Sequence, residues 1–424
     1  MKTENKKCPQ KSWVRPLQAA MVFVLTSASG FAQPGLPPPF QQPPHREHAP
    51  LHRPFDIFSQ GKFGDPLPNL TIEQMARFLT GLEDFEEVET AESGLGPIFN
   101  NTSCVACHAQ GASGGGGTNL VTRFGRLVNG HFDPLNKKGG SLLQQFAIDA
   151  AGKEKIPREA NVVARRQATP LFGLGLIDAI PDDAIRRHAA RPNADGIQGR
   201  VSEVLDVASG EMRVGRFGWK AQQATLLAFS GDAYVNELGI TSRFFPQENA
   251  PNGNTNLLAR FDAVSDPEEE IDEDTGQSEI DTVADFMRFL APPPRLPLTF
   301  AARNGAGIFS QIGCAICHQP VMFTGPNNIA ALDRKPVELF SDLLLHNMGS
   351  LGDRIVQGVA APREMKTAPL WGLRVSAPYL HDGRAKTVDR AIRLHDGQGA
   401  HSRNRYLRLT PGQKQELLEF LNSI

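Results

Sequence analysis

The segment Cys104-Val105-Ala106-Cys107-His108 recurs as Cys314-Ala315-Ile316-Cys317-His318. Two cysteines separated by two residues, with a histidine directly after, are the donor set for covalent haem attachment. The thiols add to the porphyrin vinyl groups, and the adjacent imidazole is held under the iron as proximal ligand. A zinc knuckle, a thioredoxin-like redox pair and a chance match are the competing readings. Zinc asks for four ligands in a compact cluster, and a redox pair has no use for the following histidine. A chain of 5 cysteines that places four of them in two copies of one motif argues for haem at both.

The remaining cysteine, Cys8, lies in a segment the sequence predicts to be removed. Residues 1–32 carry a basic start (Lys2, Lys6, Lys7, Lys11, Arg15), an apolar run around Met21 to Leu25, and small residues up to Ala32, the pattern of a secretory signal peptide. The apolar run is too short to span a bilayer as a mature helix, an uncleaved anchor being the lesser alternative. Export agrees with covalent haem attachment, which belongs to the oxidising side of the membrane, so a periplasmic protein is expected. The formal net charge of -2 excludes the basic footprint of a nucleic-acid binder. With 40 glycines and 32 prolines against only 7% aromatics, much of the chain should be loop. Each macrocycle would supply apolar area that side chains otherwise provide.

The elements that must position these groups come next. Residues 33–60 form a proline-rich linker whose His45, His48 and His52 read as solvated. Thr71 with Gln74 makes a capping box, and Ile72, Met75, Ala76 and Leu79 fall on one helical face. Residues 192–265 read as loops and turns with a short helix near Gln222 to Ser230; among the loops are Asp195-Gly196-Ile197-Gln198-Gly199-Arg200 and Phe245-Pro246-Gln247-Glu248-Asn249. Asp266 to Asp274 is rich in carboxylates, a solvated loop with a calcium site or docking face as the weaker readings. Ile280, Val283, Ala284, Met287 and Leu290 predict a helix that stops before Pro292-Pro293-Pro294, and Thr410, Pro411 and Gln413 open a last helix with Leu417, Leu418 and Leu421 inside.

Around the two motifs the chain repeats itself. Ile98-Phe99 and Ile308-Phe309 precede them at equal distance; Thr169-Pro170-Leu171-Phe172-Gly173-Leu174 matches Ala368-Pro369-Leu370-Trp371-Gly372-Leu373; and Ala184-Ile185-Arg186-Arg187-His188 matches Ala391-Ile392-Arg393-Leu394-His395. This is an internal repeat of a haem-binding unit. His188 and His395 are therefore equivalent candidates for the second axial position, each alternatively a helix cap or a propionate partner. The repeat is asymmetric in two places: the second copy inserts Tyr379 to Gly383, and the first has Gly114-Gly115-Gly116-Gly117 soon after its motif, glycines that could leave a distal pocket open and let a loop move.

The stretch Ala377-Pro378-Tyr379-Leu380-His381-Asp382-Gly383-Arg384, followed by Thr387-Val388 and Ala391-Ile392, resembles the closing motif of bacterial di-haem cytochrome c peroxidases and of the relative that matures methylamine dehydrogenase. Over residues 60–424 the chain is more similar still to the di-haem c-type oxidoreductases often labelled thiol oxidoreductases, through Thr169 to Asp178 and Leu343-Leu344-Leu345-His346-Asn347-Met348-Gly349. The resemblance implies a mainly α fold of tandem cytochrome c-like haem domains with long loops, here 61–295 and 296–424. It implies His108 as proximal ligand of a peroxidatic haem and His318 as that of an electron-transfer haem. At the position where the peroxidases carry a methionine ligand this chain has His395, and imidazole in place of thioether lowers the potential. One calcium ion near the haem interface is implied as well, partly through the carbonyls of Ser376 and Pro378.

The expected function is reduction of hydrogen peroxide at the amino-terminal haem, with electrons relayed through the carboxy-terminal haem from a small redox protein of cytochrome c or cupredoxin type; a homodimer is a candidate assembly. Peroxide cleavage needs an acid–base group, for which His188, His131, and Glu248 with Gln247 are candidates. His346 and Met348 belong near a haem or the domain interface. Trp219 and Trp371 are candidate electron relays, with ordinary packing as the plainer reading. An electron-transfer cytochrome without peroxidase activity and a di-haem oxygenase are the alternatives. With no cysteine left free, the thiol oxidoreductase label has no support.

Overall fold

The computed structural model describes residues 61–191 and 195–424; the predicted signal peptide with Cys8, and the linker 33–60, lie outside the described residues. Helix α1 (Ile72–Glu86) starts at the capping box the sequence predicts: Thr71 Oγ1 accepts from Gln74 N at 3.2 Å, and Gln74 Oε1 accepts from Thr71 N at 3.0 Å. Its buried face is only partly the predicted one: Met75 packs against the core, but the rest of the predicted stripe does not. Ile72 is 92% exposed and Leu79 50% exposed, whereas Phe78, Gly81 and Phe85 are inside. The reason is the partner helix further along the chain, Glu279–Phe289. Phe286 stacks on Phe85 at 4.8 Å and on Phe78 at 5.3 Å, and Gly81 lets the two backbones close, since a Cβ there would lie 2.0 Å from Thr282 O. Each phenylalanine so buried contributes roughly 1.5–3 kcal/mol.

After α1 the helices are α2 (Leu174–Asp178), α3 (Asp182–Ala189), α4 (Leu226–Ala233), α5 (Thr255–Phe261), α6 (Glu279–Phe289), α7 (Phe300–Gln311), α8 (Val388–Leu394), α9 (Ala400–Arg408) and α10 (Pro411–Ser423). In α6 the predicted Ile280, Val283, Ala284 and Met287 are all buried, and Leu290 follows them into the core. At α10, Thr410 and Gln413 form a second capping box, and Leu417, Phe420 and Leu421 meet Ile308 and Phe309 of α7, with Ile312 just beyond it, in a core of their own. The larger core takes α1, α2 and α6 together with Leu339, Leu343 and Trp371, so it draws on both sides of Pro292-Pro293-Pro294. The described residues make up one compact unit.

The described residues are only 34% helical, with 15% in strands, which corrects the mainly α expectation. A four-stranded antiparallel sheet has Leu120–Val128 paired with His131–Asp133, Leu142–Leu143 and Val162–Gln167. Ser202–Asp206 pairs with Glu211–Gly215, and Leu345–Asn347 with Glu364–Lys366. The sheet is hard to read in the sequence because one inward position of Val162–Gln167 is an arginine. Arg166 is buried and reaches Asp353 at 2.6 Å, and the same carboxylate takes buried Lys220 at 3.0 Å. Among the described residues no helix is long and apolar enough to cross a membrane.

Candidate haem centres

The second motif follows directly on α7. Gly313, at φ 88°, turns the chain out of the helix, Cys314–Ile316 forms a single 3-10 turn, and His318 N donates to Cys314 O at 2.9 Å. His318 Nδ1–H donates to Phe340 O at 3.0 Å. His395, one residue beyond α8, has the same arrangement: its Nδ1–H donates to Ala391 O at 2.9 Å. In both rings Nε2 is the nitrogen left over, and both side chains line one cavity together with Cys314 and Cys317. Their ring centres are 6.4 Å apart. Two imidazoles that share one metal through bonds of about 2 Å each place their centres roughly 6–6.5 Å apart, so the pair has the spacing of two axial ligands. Burial, followed by the neighbouring His395, pushes His318 down to about 4; it is neutral at physiological pH and keeps its lone pair.

The first motif is built likewise on its proximal side. His108 N donates to Cys104 O at 3.0 Å, and its Nδ1–H donates to Gly115 O at 3.1 Å. Burial lowers it to about 4. Among the described residues the ring that meets His108 is Phe85, at 6.3 Å, and no second imidazole faces it. The glycines after this motif do not open a distal pocket. Gly115 supplies the carbonyl that holds the proximal histidine, a Cβ on Gly117 would lie 2.0 Å from Cys107 O, and one on Gly115 2.0 Å from Gln110 O. Their smallness lets the chain double back onto the motif. Neither motif gathers a four-donor zinc set among the described residues: no metal-binding group forms around Cys104, Cys107 and His108, and at the second motif the donors that come within 4.8 Å of Cys317 are Asp342 and His346, not Cys314 and His318.

The remaining candidates separate. His346 and Met348 do line the cavity of the second motif. His346 Nε2–H donates to Asp342 at 2.8 Å and Nδ1–H to Gln398 at 2.7 Å; burial opposes its charge, yet Asp342 and the Cys317 sulfur hold it up at about 11. His188 is half-buried and lowered mainly by burial, but the charges it feels are Asp342, Arg191 and His346, on the side of the second motif. Its repeat equivalence to His395 is thus not an equivalence of position. His131 is exposed on its strand. Gln247 is exposed and Glu248 half-buried; neither lines that cavity, and Glu248 meets Asp266 and Glu268 instead. Burial and then Glu268 push Glu248 up to about 8. Trp219 and Trp371 both line the cavity, and Gly173 packs against Trp371, so the two repeated Pro-Leu-aromatic-Gly-Leu segments meet there. His381 is buried with its ring 6.2 Å from that of Trp219. Of the two carbonyls that the resemblance implies for calcium, Pro378 O accepts from Gln167 Nε2 at 2.7 Å, and the neighbouring Ala377 O accepts from Gln110 Nε2.

Asp195 to Arg200 reads in the sequence as a loop. It is a wall of the second centre. Ile197 lines the cavity, Gln198 O accepts from Gln398 Nε2 at 3.0 Å, Arg200 exchanges backbone hydrogen bonds with Leu345, and a Cβ on Gly199 would lie 2.6 Å from His346 Nε2. The signal was a glycine with no turn to make: Gly199 is small because a histidine presses on it.

The chain has counterparts among known proteins. It matches the family described as "Di-haem oxidoreductase, putative peroxidase" over residues 55–125 and 148–424. Among solved structures it is similar to hydrazine synthase of Kuenenia stuttgartiensis, with 15% identity, a TM-score of 0.40, and 93% of this chain and 100% of that one covered. It is similar also to a MauG-like protein associated with microbial copper homeostasis, with 16% identity, a TM-score of 0.38, and 86% and 93% covered. No curated protein matches.

Proposed function

Because the chain belongs to the di-haem oxidoreductase family, we propose that it is an exported, periplasmic di-haem c-type enzyme that reduces hydrogen peroxide. In this reading Cys104, Cys107 and His108 hold one haem covalently, and Cys314, Cys317, His318 and His395 hold the other. When bound, each haem supplies an iron that exchanges single electrons, and an iron with an open axial position can also take a small oxidant. His395 closes the second centre, its ring orientation fixed by Ala391 O. His108 faces no partner imidazole among the described residues, so the first centre is the one left for chemistry. The observation that carries the proposal is this contrast between a paired and an unpaired proximal histidine.

Of the sequence candidates for the acid–base group, His131 is exposed on its strand, and Glu248 is the one whose proton affinity suits the role, although it sits with Asp266 and Glu268 and not in the cavity of the second motif. Raised to about 8, its carboxyl holds a proton at neutral pH and can give it up or take it back, which cleavage of an O–O bond requires. His188 is pushed the other way by burial, and Gln247 cannot titrate. Electrons would arrive from a small cytochrome c or cupredoxin through the second centre, with Trp371 and Trp219 in the space between the repeats.

The test is a potentiometric titration followed by optical and EPR spectroscopy, with cyanide and then peroxide added at half reduction. One low-spin haem and one haem that takes cyanide, with peroxide turnover, are expected. Two low-spin haems indifferent to both would make the protein an electron carrier. Dioxygen retained by the protein as isolated would make it an oxygenase.

A further inference from the structure

The cavity of the second motif contains a cation without a counter-ion. Lys366 ends the strand Glu364–Lys366, where its N–H donates to Trp219 O at 2.9 Å and its backbone stands opposite Leu345, so its side chain is fixed at the wall of the cavity that His318 and His395 share. Among the described residues no carboxylate forms an ion pair with it. Its Nζ makes one long hydrogen bond, 3.4 Å to Thr367 O, and Asp342, the one carboxylate that acts on it, is bonded to His346. The other cations of the cavity are satisfied. Arg216 donates to Asp182 and to the carbonyls of Ile177, Asp178 and Ile180; Arg403 donates to His395 O at 2.7 Å and to Asp396 at 3.4 Å. Burial pushes the half-buried Lys366 ammonium down to about 8, and Asp342 opposes the shift only in part.

A desolvated ammonium is costly unless its surroundings bring a negative charge. The occupant implied for this cavity brings two, since haem carries two propionate carboxylates. We propose that Lys366 is the carboxylate-binding residue of this cavity, its ammonium pairing with a propionate of the haem held by Cys314, Cys317 and His318. The assignment rests on the di-haem reading above. It makes Lys366 a positioning residue that also sets the potential: a positive charge near an iron opposes its ferric state, so the pair raises the midpoint of this haem relative to a site holding the propionate alone.

The test uses the full holoprotein with Lys366→Met, Lys366→Gln and Lys366→Arg. Haem content comes from the pyridine haemochrome, the midpoint of the low-spin haem from spectroelectrochemistry, and the propionate band from redox-difference infrared spectra. The midpoint should fall and the propionate band move in the Met and Gln variants, while Arg stays close to wild type. Gln retains a polar tip and keeps the comparison available should Met fail to fold. Loss of the second haem alone from both neutral variants, with Arg retaining it, supports the anchor as well. Two haems with an unchanged midpoint and an unmoved propionate band in Met or Gln would overturn the assignment. A wild-type protein that itself carries fewer than two haems defeats the di-haem reading, and the pairing with it, before any variant is compared.

Discussion

His108, His318 and His395 each commit Nδ1–H to a backbone carbonyl, of Gly115, Phe340 and Ala391, and in His318 and His395 the Nε2 lone pair is what remains for a metal, while the Thr169 backbone also bonds His108. That is a property of local folding, and it explains how much could be read from sequence at this scale. The proximal histidines follow from a contiguous motif, and His395 from the repeat; both were legible because the chemistry is written in adjacent residues. Lys366 and Gly199 were not, since a lysine at a strand end and a glycine in a loop carry no sign of what the fold presses against them. If His395 closes the second centre, His395→Met should keep that haem low-spin and raise its midpoint by a sizeable share of the roughly 0.8 V that axial ligation spans. Potentiometry checks this. An unaltered spectrum and midpoint would pass the role to His346 or His381, the other imidazoles lining the cavity.

Elements in this molecule approach one another through glycine, and two glycines of one helix separate that role from mere tolerance. In α7, a Cβ on Gly305 would lie 2.1 Å from Glu416 O of α10, whereas one on Gly307 meets nothing within 4 Å. Gly305→Ala should therefore destabilise by about 1–3 kcal/mol as an overpacked contact, and Gly307→Ala should stabilise by up to roughly 1 kcal/mol, as expected for alanine in an exposed helix interior. Denaturant unfolding of the two variants tests the pair together; equal effects would mean that α7 and α10 are not in this contact. Loop against loop, the meeting of Glu248 with Asp266 and Glu268 makes a prediction in pH. Burial and like charge lift Glu248 to about 8 and Glu268 to about 7, while an unfolded glutamate titrates near about 4.3. Between those values the folded chain binds more protons than the unfolded one, so this cluster's contribution falls as pH rises from about 4.3 towards 8. Glu248→Gln should accordingly raise the melting temperature at pH 8 and change it little near pH 4, and thermal scans at the two pH values would expose the reverse order if the cluster is not there.

At the scale of the whole chain the repeat announced two like centres, and the fold made them unlike. The sheet around Leu120–Val128, hidden in the sequence by the buried Arg166, belongs to the first copy, and its Arg166 reaches Asp353 in the second. The loop Asp195 to Arg200, from the first copy by sequence, walls the second centre, and His188 lies on that side too. None of this could be read from either repeat alone, because each centre is completed by residues distant in the chain. The consequence is a division of labour that can be tested by disabling one proximal ligand at a time. If His318 and His395 close the second centre, as proposed from their 6.4 Å spacing, and the first lacks a facing imidazole among the described residues, cyanide and peroxide should act at His108. His108→Gly should then lose both cyanide binding in the half-reduced state and peroxide turnover by a factor of 100 or more, on the order of one lost essential group in catalysis. His318→Gly should lose turnover with an artificial donor while still binding cyanide when the first haem is reduced chemically, since it removes the electron supply and leaves the reacting centre standing. Stopped-flow turnover and optical ligand titration on both variants read the two properties separately. If His108→Gly still binds cyanide and turns over peroxide while His318→Gly loses ligand binding itself, the centres have the opposite roles, and the imidazole of His395 must swing away on reduction rather than stay bound.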